Sequence, residues 1–369
     1  MTTKEILHMN AGHGETSYAR NSTVQKTEQD RMKMLINEAI TGLCEPTSTI
    51  LPKSMAIADL GCSSGPNALT LVSAALDAIH HHCAQQQQPP PEVCIFLNDL
   101  PSNDFNSVAK SLATLKHSHG DLDDPVVITG IGMIPGSFYE RLFPCGSLHF
   151  VCSSNSLHWL SKAPDDLKEG KIPMYDMVEH LRVSRRAAVG DAYARQFRKD
   201  FTQFLSLRAQ ELVTGGRMVI SLYGRCSENP ISRSNQAWQV VAVALNDMAS
   251  RGIIDKEKLD SFYIPLYAPL ENEVNEIIED EGSFEINKML VRNPFSGMDD
   301  ATVSPKMIAL SIRAVFESTV VLHFGSSEEI MDEFAKTVEQ KLSSGSGWRA
   351  VLAAEYPLVL LCLSLTRVI

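Results

Sequence analysis

Short apolar runs recur along the chain, and stretches with helical periodicity separate them. We predict buried strands at Met55–Asp59, Val93–Leu97, Val126–Ile128, Leu148–Val151, Met218–Leu222, Phe284–Ile286 and Leu358–Leu365. A helix-compatible stretch, Leu69–Ile79, lies between the first two runs. Alternation of buried strands and helices predicts an α/β fold, with a mainly parallel sheet and helices on both faces.

Longer polar stretches interrupt this alternation in the middle of the chain. Residues 155–215 and 227–260 exceed what a crossover needs, and we expect helical insertions that cover a site above the strand ends. We therefore predict one unit, 1–369, with a core of residues 30–154, 211–226 and 280–369 and a helical cap of residues 155–210 and 227–260.

Two tracts of biased composition predict connections. The tract at 80–91 reads HHHCAQQQQPPP, and its three prolines predict an extended connector. Its histidines could bind a metal ion, but a solvated loop is the simpler interpretation. The Gly/Ser stretch 343–347 predicts a loop.

The composition narrows what this fold can do. The chain has 369 residues, 44% of them apolar, which suffices for a large core. Forty-four acidic against 33 basic residues give a net charge of -11, which argues against partners such as nucleic acid or an anionic membrane. No apolar run reaches the roughly 20 residues of a membrane span, and we expect no signal peptide. The eight cysteines form no CxxC pair, so we expect reduced thiols and a cytoplasmic location.

Candidate chemistry begins at the loop after the first strand. Asp59, Gly61 and Gly65 have the acidic-x-Gly-x-x-x-Gly spacing of a loop that holds S-adenosylmethionine (SAM), not the GxGxxG spacing of a dinucleotide site. Glycines let the backbone turn tightly and approach a ligand closely. A plain strand-to-helix turn would carry the same residues.

The second strand places a carboxylate at the same end of the sheet. Asp99 follows that strand, and an acid there can accept hydrogen bonds from both hydroxyls of a ribose. Leu100 would then lie against the purine face. Taken alone, an aspartate here is explained equally well as a helix cap or a turn residue.

Motifs along the whole chain resemble those of the plant SABATH methyltransferases, SAM-dependent enzymes that act on salicylate, benzoate and jasmonate or on xanthine alkaloids. The motifs are LHMN at 7–10, GETSYA at 14–19, ADLGCSSGPN at 58–67, FLNDLPSNDF at 96–105, IPGSFY at 134–139, SSNSLHWLS at 153–161, GGRMV at 215–219, LDSF at 259–262 and HFG at 323–325. Each motif alone is weak, but their order and spacing together are specific.

The resemblance implies a Rossmann-like SAM-dependent methyltransferase core with a helical cap subdomain, usually as a homodimer. Together with the loop spacing, it assigns cofactor binding to Tyr18, Ser22, Asp59, Cys62, Asn67, Asp99, Leu100, Ser137, Phe138 and Ser154. It assigns acceptor binding to Gln25, Asn155, His158 and Trp159. Ile312, Phe316, Tyr263 and Tyr356 are candidates for the far wall of the pocket, although core packing would place apolar residues at the same spacing.

Methyl transfer to a carboxylate does not require acid–base catalysis by the protein. A carboxylate with a pKa near 4 is already ionised at neutral pH, so no general base is needed. The Gln25 amide and the Trp159 indole N–H can bind its oxygens without a positive charge that would quench the nucleophile. Positioning and exclusion of water then supply the catalysis, about 7 to 11 kcal/mol in favourable cases.

Three positions depart from the salicylate enzymes of the family and leave the acceptor open. His158 stands where many have Met, Asn155 where tyrosine is common, and Asn10 where some have Lys. His158 could hydrogen-bond a substrate or only pack against it. Asn155 should widen the pocket or offer its amide to a polar group of the substrate.

The resulting hypothesis is a carboxyl methyltransferase for a small aromatic acid of the benzoate or salicylate type. Methylation of jasmonate or an indole acid is one alternative. N-methylation of a xanthine-type heterocycle is another, and a protein that binds a hormone acid without catalysis is a third.

The sequence argues against a magnesium ion. Some family members hold one near the cap through asparagines in Asn-Lys-Gly and Asp-Ser-Phe-Asn stretches. Here 168–170 reads KEG and 260–263 reads DSFY, so both asparagines are absent. Because a hard cation needs several oxygen ligands, Asp260 and Phe262 are only weak metal candidates.

Overall fold

The computed structural model describes most of the chain. The described residues are 8–44, 52–120, 126–176, 178–226, 238–298, 303–325, 328–343 and 358–368. Tyr356 and most of the loop predicted at 343–347 lie outside these ranges.

Seven strands form one sheet, which confirms the predicted α/β fold. They are β1 (Ser54–Leu60), β2 (Glu92–Asp99), β3 (Ile128–Pro135), β4 (Leu148–Ser154), β5 (Leu212–Arg225), β6 (Phe284–Arg292) and β7 (Leu358–Arg367). Their order is β3-β2-β1-β4-β5-β7-β6. The first five strands run parallel, and β7 lies antiparallel between β5 and β6. The parallel order changes direction at β1, so the carboxyl ends of β1, β2 and β4 meet at one edge, where ligands bind in such sheets.

The helices follow the predicted alternation. They are α1 (Tyr18–Asn21), α2 (Thr23–Cys44), α3 (Thr70–Gln86), α4 (Phe105–Gly120), α5 (Asp165–Glu169), α6 (Glu179–Glu211), α7 (Gln239–Ser250), α8 (Lys256–Asp260), α9 (Glu271–Glu281), α10 (Pro305–Phe324) and α11 (Glu328–Ser343). Helices α5 to α8 lie in the stretches where insertions were predicted. The division of the chain into core and cap stays a prediction.

The extended connector predicted at 80–91 is wrong over its first half. Helix α3 continues through the three histidines to Gln86, and Gln87 ends it in a left-handed conformation. His82 and Cys83 are buried, so this last turn packs against the fold. Prolines stop a helix only locally, and these begin at residue 89, after the cap.

Two hydrophobic clusters cover the two faces of the sheet. Successive residues of a strand point to opposite faces, so Ile57 packs in one cluster and its neighbour Ala58 in the other. The Ile57 cluster contains the apolar faces of α2 and α3. The Ala58 cluster contains residues of α6, α7, α9, α10 and α11. This second, larger layer reaches over the strand ends and encloses the site.

Helix α10 is the one helix in the described ranges that is long and apolar enough to cross a membrane. Buried helices of a folded core pass the same test, and α10 packs on α11 and on the sheet-covering cluster. It also contains the buried Arg313, whose Nε donates to Glu317 at 2.8 Å. Its inner face forms part of the candidate site.

A fully buried ion pair at the end of α6 holds the loop after β3. The Arg208 Nε lies 2.8 Å from a Glu211 carboxylate oxygen. Arg208 also donates to the carbonyl of Phe138 at 3.0 Å. Glu211 in turn accepts from the backbone N–H groups of Leu142 and Phe143. The pair therefore fixes the segment that brings Ser137 and Phe138 to the site.

We expect Glu211→Gln to lower the free energy of unfolding by about 3 to 5 kcal/mol, because it leaves the Arg208 guanidinium buried without its counter-charge. Urea denaturation measures the loss. Asp166→Asn is the matched control, since its pair with Arg195 is largely exposed and should contribute less than about 1 kcal/mol. Equal losses in the two variants would contradict this role for the buried pair.

Candidate active site

The loop after β1 adopts the tight turn expected from its glycines. Gly61 has φ of 77°, and a Cβ there would collide with the side chain of Ser156. The N–H groups of Gly61 and Cys62 both donate to the carbonyl of Asn98 at 2.9 Å. The loop therefore lies directly against the end of β2.

Asp99 joins this loop to β2 and faces a cavity. One carboxylate oxygen accepts from the Ser63 N–H at 2.6 Å, and the other accepts from the Leu100 N–H at 2.7 Å. Asp99 is a cavity wall residue as well as the partner of the loop. This is the arrangement expected of an acid that receives two ribose hydroxyls.

A cavity of about 100 Å³ opens at this edge of the sheet. Six of the predicted cofactor residues line it, namely Tyr18, Asp99, Leu100, Ser137, Phe138 and Ser154. Its other walls include His8, Met9, Gly61, Ser63, Asn103 and Ser156. We call it the cofactor cavity.

The other four predicted cofactor residues, Ser22, Asp59, Cys62 and Asn67, do not line this cavity. Asn67 donates to the Ser22 hydroxyl at 2.8 Å and to the Ser22 carbonyl at 3.3 Å, which ties the start of α2 to the loop. Asp59 and Cys62 are buried at the end of β1 and in the turn. Their positions support the loop, while direct contact with a cofactor stays a prediction.

Asp59 and Asp99 differ in their protonation state, because burial raises their pKa values by different amounts. Burial raises the pKa of Asp59 to about 8, and the neighbouring Asp99 charge adds to this shift. Burial also raises the pKa of Asp99, to about 6, against the opposing effect of the two backbone N–H donors. At neutral pH Asp59 therefore holds a proton, and Asp99 presents one negative charge to the cavity.

A second cavity, of about 160 Å³, adjoins the first. All five predicted acceptor residues line it: Gln25, Asn155, His158, Trp159 and Ile312. Phe316 lines it as well, whereas the Tyr263 hydroxyl donates to two backbone carbonyls of the cap. No Lys, Arg, Asp or Glu occurs in the described lining. We call it the acceptor cavity.

Two buried polar atoms at the acceptor cavity have no hydrogen-bond partner in the described part of the chain. They are Gln25 Oε1 and Asn155 Oδ1. Asn155 has a left-handed φ of 55°, and its amide N–H₂ donates to the Ser154 hydroxyl at 2.9 Å. These side chains are held in place while keeping capacity to bind a polar ligand.

His158 is neutral and its tautomer is defined. Its Nδ1 accepts a hydrogen bond from the backbone N–H of Tyr223 at 3.3 Å, so the proton of the neutral ring resides on Nε2. Burial lowers the pKa of His158 to about 3. The ring therefore offers an N–H donor to the cavity and no positive charge.

The two cavities share a wall formed by Met9, Tyr18, Asn155 and Trp159. Trp159 packs on Phe316, with ring centroids 5.5 Å apart. The two cavities therefore adjoin at these four residues.

Asn10, which stands where some members of the family have a lysine, is bonded to α10. Its side chain donates to Glu317 at 2.8 Å, and its backbone N–H donates to the Ala314 carbonyl at 2.9 Å. These bonds hold the N-terminal segment, with Met9, across both cavities.

Many residues that line the acceptor cavity were not predicted from the sequence. The additional lining residues include Val24, Tyr223, Val240, Leu266, Pro294, Phe295, Ile308, Ser311 and Val315. The residues in this set are mostly apolar and occur at spacings that core residues share, so the sequence carries no signal that separates them from the core. Tyr223 is the exception, since it is a phenol at the end of an otherwise aliphatic strand run.

The residues near the cap do not fit a magnesium ion. Asp260 is exposed, and Phe262 is buried against Phe324. The Tyr263 hydroxyl donates to the carbonyls of Leu167 and Ile172, so the residue that replaces the expected asparagine is engaged in backbone bonds. Over the described ranges, no group of three or more His, Cys, Asp or Glu side chains is placed to hold a metal.

The fold and the paired cavities define a SAM-dependent methyltransferase. The solved structure of a loganic acid methyltransferase with S-adenosylhomocysteine (SAH) aligns with 98% of this chain and 98% of its own, with a TM-score of 0.78 and 28% identity. The described Asp99 and its loop fit such a cofactor, since they offer a carboxylate and a close backbone approach at the strand ends.

The chain belongs to the SAM-dependent carboxyl methyltransferases of the SABATH family, whose profile matches residues 4–368. It is 40% identical to the probable jasmonic acid carboxyl methyltransferase 1 of Theobroma cacao, over 93% of this chain and 95% of that protein. It is 38% identical to the salicylate carboxymethyltransferase of Clarkia breweri, over the same shares. The predicted fold class and enzyme class are confirmed.

We expect Asp99→Ala to weaken SAM binding at pH 7.5 about 10- to 150-fold, because hydrogen bonds to a charged group contribute about 1.5 to 3 kcal/mol. Wild-type affinity should also fall as the pH drops through about 6, since protonation of Asp99 removes its acceptor charge. Calorimetric titration measures both. Asp260→Ala, an exposed acid, is the control, and an unchanged affinity in Asp99→Ala would remove this residue from the cofactor site.

Proposed function

We propose that this enzyme transfers the methyl group of SAM to the carboxylate of a small aromatic acid of the benzoate or salicylate type, forming the methyl ester. The observation that carries the proposal is a charge-free acceptor cavity with neutral hydrogen-bond donors at the wall shared with the cofactor cavity. Such a cavity binds a carboxylate without neutralising it.

The chain's own residues bind and orient the acceptor. The Gln25 amide and the Trp159 indole N–H donate to the carboxylate, which leaves a lone pair of the attacking oxygen free. SAM supplies the methyl group on a sulfonium that departs as a neutral thioether. Because the acceptor is already ionised, no protein group has to remove a proton.

The apolar walls favour a flat or cyclic apolar body on the acid. Trp159 and Phe316 present aromatic faces, and Ile312 and Met9 close the sides of the cavity. Burial of apolar surface between such walls contributes about 25 cal/mol per Å². The same walls exclude water from the reacting atoms.

A jasmonate-type acid is the second candidate acceptor. The cacao relative is named for jasmonic acid, and Asn155 supports the wider pocket that such an acid would need. N-methylation of a heterocycle is favoured less, because a neutral N–H nucleophile has to lose its proton and neutral His158, with a pKa of about 3, is a weak base.

The direct test is methyl transfer from labelled SAM to benzoate, salicylate, anthranilate, jasmonate, indole-3-acetate and a xanthine. We expect label on a small aromatic acid that mild base releases, because an ester is cleaved and an N-methyl group is not. Base-stable label on the xanthine alone would contradict the proposal. Transfer only to jasmonate or the indole acid would keep the chemistry and change the acceptor.

The same assay tests the carboxylate donors. Gln25→Ala should lose most methyl transfer while SAM binding stays at the wild-type level. Trp159→Ala, whose indole also lines the cofactor cavity, should lose most methyl transfer while SAM still binds. Gln29→Ala is the matched control, since Gln29 lies one helical turn further along α2, is buried and does not line either cavity. Full activity with weakened SAM binding in either test variant would overturn the assignment.

A further inference from the structure

The acceptor cavity contains more polar groups than a simple carboxylate requires. Gln25 and Trp159 suffice for two carboxylate oxygens, one of which has to keep a free lone pair. Tyr223 also lines the cavity, near the end of β5. No hydrogen-bond partner of its hydroxyl occurs among the described residues, although its backbone N–H is bonded to His158.

Tyr223 and His158 form one polar wall. Their rings lie edge to face, with centroids 5.0 Å apart. The bond from the Tyr223 N–H to His158 Nδ1 leaves the Nε2–H of the imidazole as a second donor. Around this pair the cavity is largely apolar, with Val240, Leu266 and Ile312 among its walls.

The Tyr223 phenol stays protonated over the whole physiological range. Burial raises its pKa well above the usual value, and the nearby Glu28 carboxylate raises it further. The hydroxyl is therefore a constant donor rather than a titrating group. Glu28 Oε1 accepts from the Cys362 thiol at 2.9 Å, and Glu28 Oε2 lies 3.7 Å from Arg31 Nη1. Neither oxygen is hydrogen-bonded to the phenol in the described part of the chain.

We infer that Tyr223, with His158 beside it, is a specificity-determining residue that donates a hydrogen bond to an acceptor oxygen outside the carboxylate. The inference rests on the proposed function, since it concerns the acceptor of that reaction. It narrows the substrate class to acids that carry a hydroxyl or ketone oxygen on the apolar body. A bare acid, meaning one without such an oxygen (for example benzoate), would leave the Tyr223 hydroxyl and the His158 Nε2–H without a hydrogen-bond acceptor in the cavity.

Sites built to hydrogen-bond a substrate oxygen discriminate strongly against analogues that lack it, by up to about 10⁴-fold. A tyrosine that only fills space would not discriminate in this way, because its ring packs equally against both acids. A tyrosine that binds the carboxylate itself would affect every acid alike. The ratio of kcat/KM between oxygen-bearing and bare acids separates these roles.

The experiment compares benzoate, its 2-, 3- and 4-hydroxy derivatives and a cyclopentanone-bearing acid in the wild type and in Tyr223→Phe. We expect the wild type to prefer one oxygen-bearing acid over benzoate by about 10-fold or more. Tyr223→Phe should lower kcat/KM for that acid by about 10-fold or more and change the value for benzoate much less. The preferred derivative shows whether the oxygen is a hydroxyl or a ketone.

Tyr263→Phe is the matched control, because its hydroxyl is satisfied by the backbone carbonyls of Leu167 and Ile172, and Tyr263 does not line the cavity. It should leave the ratio between the acids unchanged. Calorimetric SAM binding shows that each variant is folded.

The possible failures are distinguishable. Equal losses on all acids in Tyr223→Phe, or a wild type that uses benzoate best, would overturn the inference and leave the proposed function standing. Absence of an ester from every acid would refute the proposed function, and the inference with it.

Discussion

Methyl transfer requires the cofactor site and the acceptor site to adjoin. The sulfonium methyl has to reach the attacking oxygen in line, with no water between them. In this chain the shared wall consists of Met9, Tyr18, Asn155 and Trp159. These residues come from the N-terminal segment and from the segment after β4. The sheet edge, the bonded N-terminal segment and α10 all hold this wall in place.

Charge is distributed unequally across that wall. The cofactor side holds one carboxylate, Asp99, whose neighbour Asp59 stays protonated near neutral pH. The acceptor side has no ionised group in its described lining, and burial keeps His158 neutral. The reaction joins a sulfonium cation and a carboxylate anion, so charge is lost as it proceeds. An acceptor cavity lined by neutral side chains therefore favours the reaction, because no opposite charge stabilises the carboxylate in the ground state more than in the transition state.

Features with a local signal could be predicted from the sequence. Six of the seven predicted apolar runs fall within strands, whereas the run predicted at Val126–Ile128 is misplaced, because β3 begins at Ile128 and continues to Pro135. The spacing of Asp59, Gly61 and Gly65 indicated the turn that lies against Asn98. The resemblance to the family does not distinguish residues that line the cofactor cavity from residues that hold the loop in place. Ser22 and Asn67, which are hydrogen-bonded to each other, were therefore grouped with the cavity-lining residues. The helix over His80–Gln86 was missed because the prolines that follow act only on their immediate neighbours.

The acceptor wall depends on tertiary structure and could not be predicted in full. Residues of α10 and the 294–295 turn reach the cavity only because α10 packs over the strand ends. Their apolar side chains have the same sequence pattern in a core or in a pocket. The pairing of Tyr223 with His158 could not be predicted, because the two residues are 65 positions apart in the chain and meet only in the folded structure.

In the proposed reaction, positioning alone, without a general base, transfers the methyl group to an ionised acid. The most direct test is the single-turnover rate of esterification at saturating SAM and saturating acid between pH 6.5 and 8.5. We expect a rate that varies by less than about twofold, because the acid is ionised throughout and His158 does not titrate there. A rate that rises about tenfold per pH unit would reveal an essential base and refute transfer by positioning alone.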